Sequence, residues 1–122
     1  RSKVAILGLT FKENCPDTRN SKVDDIVKRL NEYDIEPIVV DPWACERDAM
    51  HEYGIKLTPI SMVKDVDCII VAVAHNEFKE LNLLDIKSMY KPLPDNEKVL
   101  IDVKGIYSVK ELKESGMTYW RL

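Results

Sequence analysis

Val4-Ala5-Ile6-Leu7-Gly8 runs into Leu9-Thr10-Phe11-Lys12-Glu13-Asn14-Cys15-Pro16-Asp17-Thr18-Arg19-Asn20-Ser21, and the reading of this stretch decides the fold. An apolar run this short reads as a strand buried on both faces, the habit of a parallel sheet covered by helices. Beyond the polar loop, Val23, Ile26, Val27, Leu30 and Tyr33 recur at three- and four-residue spacing. That spacing predicts an amphipathic helix, with Ser21 as its N-cap and Asp24 three residues later.

The alternation continues to the end of the chain. Apolar runs at 35–40, 55–57, 68–73, 99–102 and 118–120 are further strand candidates, and helical patterns lie at 44–53, 83–89 and 108–115. Asp41-Pro42 stops the second run and Pro59 limits the third. Strands alternating with helices imply right-handed crossovers. The sequence therefore predicts an α/β, Rossmann-like doubly wound fold: a mainly parallel six-stranded sheet of order 3-2-1-4-5-6 with helices on both faces. There is no internal repeat, and the Pro-rich stretch 91–96 is too short to divide domains, so residues 1–122 read as one domain. The chain opens at Arg1 without an initiator Met and enters its first strand within two residues, which reads as the cut edge of a longer protein.

Composition narrows the function. With 45% hydrophobic and 32% charged residues, the 122-residue chain has the makeup of an ordinary globular domain. A net charge of −3 offers no field for nucleic acid or an anionic membrane, so an anionic ligand must be held by locally placed cations. Three widely spaced cysteines, Cys15, Cys45 and Cys68, argue against a disulfide framework or a CxxC site. No apolar run reaches the roughly 18 residues of a membrane helix, and no signal peptide opens the chain. A cytoplasmic domain is expected.

In open parallel sheets, ligands bind beyond the carboxyl ends of the strands, where the strand order reverses. Three loops converge there in the expected topology: 10–20 with Phe11, Lys12 and Arg19, 74–78 with His75, and 103–107 with Lys104. An aromatic with several cations suits a base plus phosphates. The dinucleotide glycine fingerprint is absent, since Gly8 is followed by Leu9-Thr10-Phe11-Lys12. Asp41 sits where dinucleotide folds place a ribose-binding carboxylate, and an Asp-Pro turn explains it equally well.

The stretch 8–21 closely resembles the Gly-x-x-Phe-Lys…Asp-x-Arg-x-Ser segment that opens the C-terminal domain of UDP-glucose and GDP-mannose dehydrogenases. The resemblance continues through Val39-Val40-Asp41-Pro42, Val73-Ala74-His75-Asn76-Glu77-Phe78 and Ile101-Asp102-Val103-Lys104-Gly105, in the family's order. It looks closest to the branch acting on UDP-N-acetylhexosamines. The resemblance implies a UDP-sugar-binding domain of an NAD-dependent 6-dehydrogenase, which oxidises a C6 alcohol to a carboxylate for bacterial surface polysaccharides. It implies a catalytic cysteine upstream, so Cys15 is not the nucleophile and this domain alone is inactive. NAD is implied for the full-length enzyme, bound mainly by the missing N-terminal domain, with none in this domain. A homodimer or higher homo-oligomer is implied for the full enzyme. Carried over residue by residue, Phe11, Lys12 and Lys104 are substrate-binding, and Arg19 and His75 stand as further candidates.

Each residue also has a structural alternative. Loop lysines are usually solvated, Phe11 can pack, Arg19 can brace the loop through Asp17, and His75 can be loop packing. Cys68 reads as a small buried strand hydrophobe. Two other functions stay open: a stand-alone nucleotide-sensing module, and a subunit-assembly module using Trp43 and Trp120.

Overall fold

A computed structural model describes residues 2–19 and 21–122. Arg1, at the expected cut edge, and Asn20, at the end of the expected loop, lie outside the described residues. The chain runs β1 (Val4–Leu7), α1 (Val23–Glu32), β2 (Ile38–Val40), α2 (Glu46–Tyr53), β3 (Cys68–Val71), α3 (Asn76–Lys79), α4 (Leu83–Lys87), β4 (Val99–Asp102), α5 (Val109–Ser115) and β5 (Thr118–Arg121). Short 3₁₀ turns at Ile60–Met62 and Asp95–Glu97 precede β3 and β4.

Every strand pairing is parallel, in the order β2-β1-β3-β4-β5. Ile6 aligns with Val39 on one side and Ile70 on the other, and Ile70 aligns with Ile101. Because successive strand side chains alternate, the sheet has two apolar faces. Ala5, Leu7, Ile69, Val71 and Leu100 face the side of α3, α4 and α5, where Phe78, Ile86 and Leu112 pack. Val4, Ile6, Val39 and Ile70 face α1 and α2 through Val23, Val27 and Ala49. Each buried Val, Leu or Ile side chain among these stabilises the fold by about 1.5–3 kcal/mol.

The expected six strands in order 3-2-1-4-5-6 are not what the sheet shows: among the described residues it has five strands, in the order β2-β1-β3-β4-β5. Of the run 55–57, only Leu57 reaches the sheet, through a single parallel bridge to Val39. The Thr58 N–H donates to the Val39 carbonyl at 2.8 Å, and the chain then leaves the sheet at Pro59, which caps the 3₁₀ turn Ile60–Met62. Ile55 instead drops into the core beside α2.

Helix starts follow side-chain chemistry. Ser108 and Glu111 form a capping box on α5, which ends at Gly116 with φ 77°. Asn82 and Asp85 do the same for α4. Ser21 is not the N-cap of α1, a place taken by Lys22. The Ser21 hydroxyl accepts the Val23 N–H at 3.2 Å and donates to the Leu9 carbonyl, tying the helix to the loop after β1. Helix 44–53 starts two residues late, at Glu46, after a turn in which the Asp41 carboxylate accepts the Trp43 and Ala44 N–H groups.

Candidate functional site

The carboxyl ends of β1, β3 and β4 lie side by side, so the loops after them share one edge of the sheet. The loops after β1 and β4 leave the sheet about 10 Å apart, with β3 between them. Gly8 makes the first turn with φ 112°, and a Cβ there would lie 2.6 Å from Val73 Cβ. Only glycine allows the two chains this close.

Asp41 organises the edge. Its Oδ2 accepts the Leu9 N–H at 2.7 Å, the Thr10 N–H at 3.0 Å and the His75 Nε2–H at 3.0 Å. Its Oδ1 accepts the Trp43 and Ala44 N–H groups at 2.8 and 3.0 Å. Burial alone pushes this carboxyl up, but the donors of His75, Leu9 and Thr10 outweigh it and hold Asp41 below its usual value. Both oxygens are spent inside the protein, so the turn reading of Asp41 accounts for it and a ribose-binding role does not.

His75 is 0% exposed. Its Nδ1 accepts the Asn14 N–H at 2.9 Å, which requires a lone pair there and puts the ring proton on Nε2. That nitrogen also lies 3.1 Å from Thr10 Oγ1. Trp43 stacks at 6.1 Å between centroids, and Phe78 sits at 5.5 Å. With both nitrogens engaged and both faces covered, His75 presents no atom to a ligand in this conformation.

The other candidates separate into free and paired. Phe11 is 54% exposed although its N–H donates to the Asp17 carbonyl, so the ring stands out from a closed loop. Lys12 and Lys104 are exposed, and among the described residues neither pairs with a carboxylate. Arg19 is held by Asp17 through Nε at 3.1 Å and Nη2 at 3.2 Å, an exposed pair that bends it back on its own loop. The Lys104 loop is shaped from below: Asp102, fully buried, accepts the Ile106 and Tyr107 N–H groups at 3.1 and 2.9 Å. Arg121 Nε donates to the Tyr107 carbonyl at 3.0 Å.

Sequence reasoning passed over Asn14, which adopts φ 53° and bonds Asn76 by both backbone and side chain. The available signal was an Asn in mid-loop, a residue type that tolerates the left-handed region. A cleft of about 410 Å³ lies beside β2, with walls that include Val40, Asp41, Leu57, Ile60 and Phe78, and contains none of Phe11, Lys12, Arg19, His75 and Lys104. Glu46 and Glu77 on its border oppose a phosphate ligand, so the loops after β1 and β4 remain the better anion site. No helix among the described residues is long and apolar enough to cross a membrane.

Residues 5–109 match the UDP-glucose/GDP-mannose dehydrogenase family, UDP binding domain. The chain is 50% identical over 105 residues to a UDP-N-acetyl-D-glucosamine 6-dehydrogenase of Pseudomonas aeruginosa, covering 84% of this chain and 24% of that protein. It is 42% identical to the UDP-N-acetyl-D-glucosamine 6-dehydrogenase of Salmonella typhi, covering 90% of this chain and 25% of that one. Among solved structures, an NDP-N-acetyl-D-galactosaminuronic acid dehydrogenase from Methanosarcina mazei Go1 shares the fold with TM-score 0.81 at 23% identity, over 98% of this chain and 24% of its own. The chain thus spans about a quarter of the length of the curated relatives it matches.

Proposed function

Since the chain belongs to the UDP-glucose/GDP-mannose dehydrogenase family as its UDP-binding domain, we propose that it holds the UDP half of a UDP-N-acetylhexosamine within a longer, NAD-dependent 6-dehydrogenase. That enzyme oxidises the sugar C6 alcohol to a carboxylate, in the cytoplasm, for bacterial surface polysaccharide. The names of the relatives support the substrate class. One observation in this chain carries the reading: the exposed Phe11 ring and Lys12 and Lys104, which have no carboxylate partner among the described residues, stand on loops at one edge of the sheet. Lys12 and Lys104 neutralise diphosphate oxygens as point charges, and Phe11 lines the base or ribose.

The residues here do not fit NAD. The loop after β1 has no second or third glycine to admit a pyrophosphate, and both Asp41 oxygens are already satisfied. We therefore assign NAD to the N-terminal domain of the full enzyme, a homodimer or larger assembly, with the active site closed between the domains. Residues 1–122 act as one substrate-binding unit. Arg19, paired with Asp17, and His75, fully buried, serve the loops more than the ligand.

Calorimetric titration of the chain with UDP, UDP-N-acetylglucosamine, AMP and NAD, repeated on Lys12→Ala, tests this. Weak UDP binding that the substitution reduces is expected, since the other domain supplies part of the site. Selectivity for AMP or NAD would replace the reading with a nucleotide-sensing module. Self-association without nucleotide binding would replace it with an assembly module.

A further inference from the structure

We propose that His75 and Asn14 form a latch that positions Phe11 and Lys12 for the nucleotide, an inference that rests on the UDP-binding reading above. The loop residues 11–13 are anchored at both ends to one imidazole. On the upstream side, Thr10 Oγ1 lies 3.1 Å from His75 Nε2, and the Thr10 N–H shares Asp41 Oδ2 with that same nitrogen. On the downstream side, the Asn14 N–H donates to His75 Nδ1 at 2.9 Å. The Thr10 hydroxyl also donates to the Lys12 carbonyl at 3.0 Å, which fixes the backbone between the anchors.

Asn14 needs such holding. Its φ of 53° lies in the left-handed region, which Asn tolerates better than most residues with a Cβ, and three hydrogen bonds stabilise it there. Besides the bond to His75, Asn14 Oδ1 accepts the Asn76 N–H at 2.9 Å, and Asn14 Nδ2 donates to Asn76 Oδ1 at 3.2 Å. The ring itself cannot swing, because Trp43 and Phe78 cover it and Asp41 fixes its protonated nitrogen. His75 Nδ1 and Nε2 and Asn14 Oδ1 and Nδ2 each have a partner inside the protein, whereas the Phe11 and Lys12 side chains between the anchors are exposed. Such an arrangement lowers the ordering cost of binding by holding an aromatic and a cation in place before the ligand arrives.

The decisive variants are Asn14→Ala, which removes the side-chain bonds and cannot hold φ 53° without strain, and Asn14→Gly, which accepts that φ. UDP is titrated calorimetrically into the unaltered chain, both variants, Lys12→Ala and the Asn14→Ala/Lys12→Ala double variant, with melting temperatures and Phe11 amide exchange measured alongside. We expect Asn14→Ala to weaken UDP binding about fivefold or more, Asn14→Gly to recover part of it, and the double variant to be clearly less than additive. Phe11 amide exchange should accelerate while that of Ile6 and Ile70 does not. Unchanged affinity in Asn14→Ala overturns the latch and leaves UDP binding standing. Additive losses that track melting temperature also overturn it, reducing Asn14 to a structural brace. Failure of the unaltered chain to bind UDP sinks the proposed function, and the positioning role with it.

Discussion

The Asp41 carboxylate accepts the Nε2–H of His75 at 3.0 Å, with neither side chain reaching solvent. The pair joins the loops after β2 and β3, and Asp41 adds the loop after β1 through Leu9 and Thr10. Residues distant in sequence thus share one charge at the sheet edge from which the candidate site projects.

Asp41→Asn keeps the shape but turns an NH₂ toward backbone donors that need an acceptor. The loss of stability is expected to be about 2–4 kcal/mol, read as a lower urea midpoint at unchanged slope. An unshifted midpoint would mean that the network does not support the fold.

The same group makes the fold acid-sensitive. The Asp41 carboxyl is held below its usual value in the folded state, so near pH 4 the unfolded chain binds more protons. Its contribution is complete above the ordinary carboxylate range and is lost as pH falls through and below it. Asp67, held low by Lys91, and Asp95, held low by Lys87 and Lys98, add to the same limb. Stability measured from pH 6 down to pH 3 should decline, and less steeply in Asp41→Asn.

Gly8→Ala places a methyl 2.6 Å from Val73 Cβ at a φ of 112°. The clash is with a β-branched side chain and the backbone nitrogen of Val73, neither of which can swing aside. A loss of at least about 2 kcal/mol is expected by denaturant titration.

Lys12→Ala and Lys104→Ala should each weaken UDP binding about tenfold, with added salt narrowing the difference from the unaltered chain. Both side chains are exposed, so melting temperatures should not move. Arg19→Ala is expected to matter less for UDP, because Asp17 already occupies its guanidinium. If Arg19→Ala costs as much affinity as Lys12→Ala, Arg19 leaves Asp17 to meet the ligand.

Iodoacetamide at pH 8 should label Cys45 first and Cys68 last. Cys45 is exposed, whereas burial, with the charge of Asp67, pushes the Cys68 thiol up to about 11. Mass spectrometry of the digested protein reads the order directly.

The strands β1, β3 and β4 were legible because strands buried on both faces demand continuous apolar runs, and runs of that kind have few other readings. Run 55–57 looked similar, but whether a short apolar segment pairs depends on its neighbours, and this one makes one bridge before the chain enters the turn Ile60–Met62. The late start of α2 was hidden for a related reason: the carboxylate of Asp41 accepts the Trp43 and Ala44 N–H groups and so holds the residues before the helix in a turn.

By itself the sequence determined the alternation of strand and helix, the sheet edge where loops gather and the family motif along it, because periodicity and local turn chemistry are written in neighbouring residues. Only the tertiary structure decided which polar groups on that edge are spent and which remain free. Asp41 and His75 each carried a ligand reading beside a structural one, yet their partners lie from 2 to 65 residues away, and Asn14 showed its role only once His75 was packed against it. Hydrogen-bond satisfaction of buried groups is settled between distant segments, and no local pattern records it.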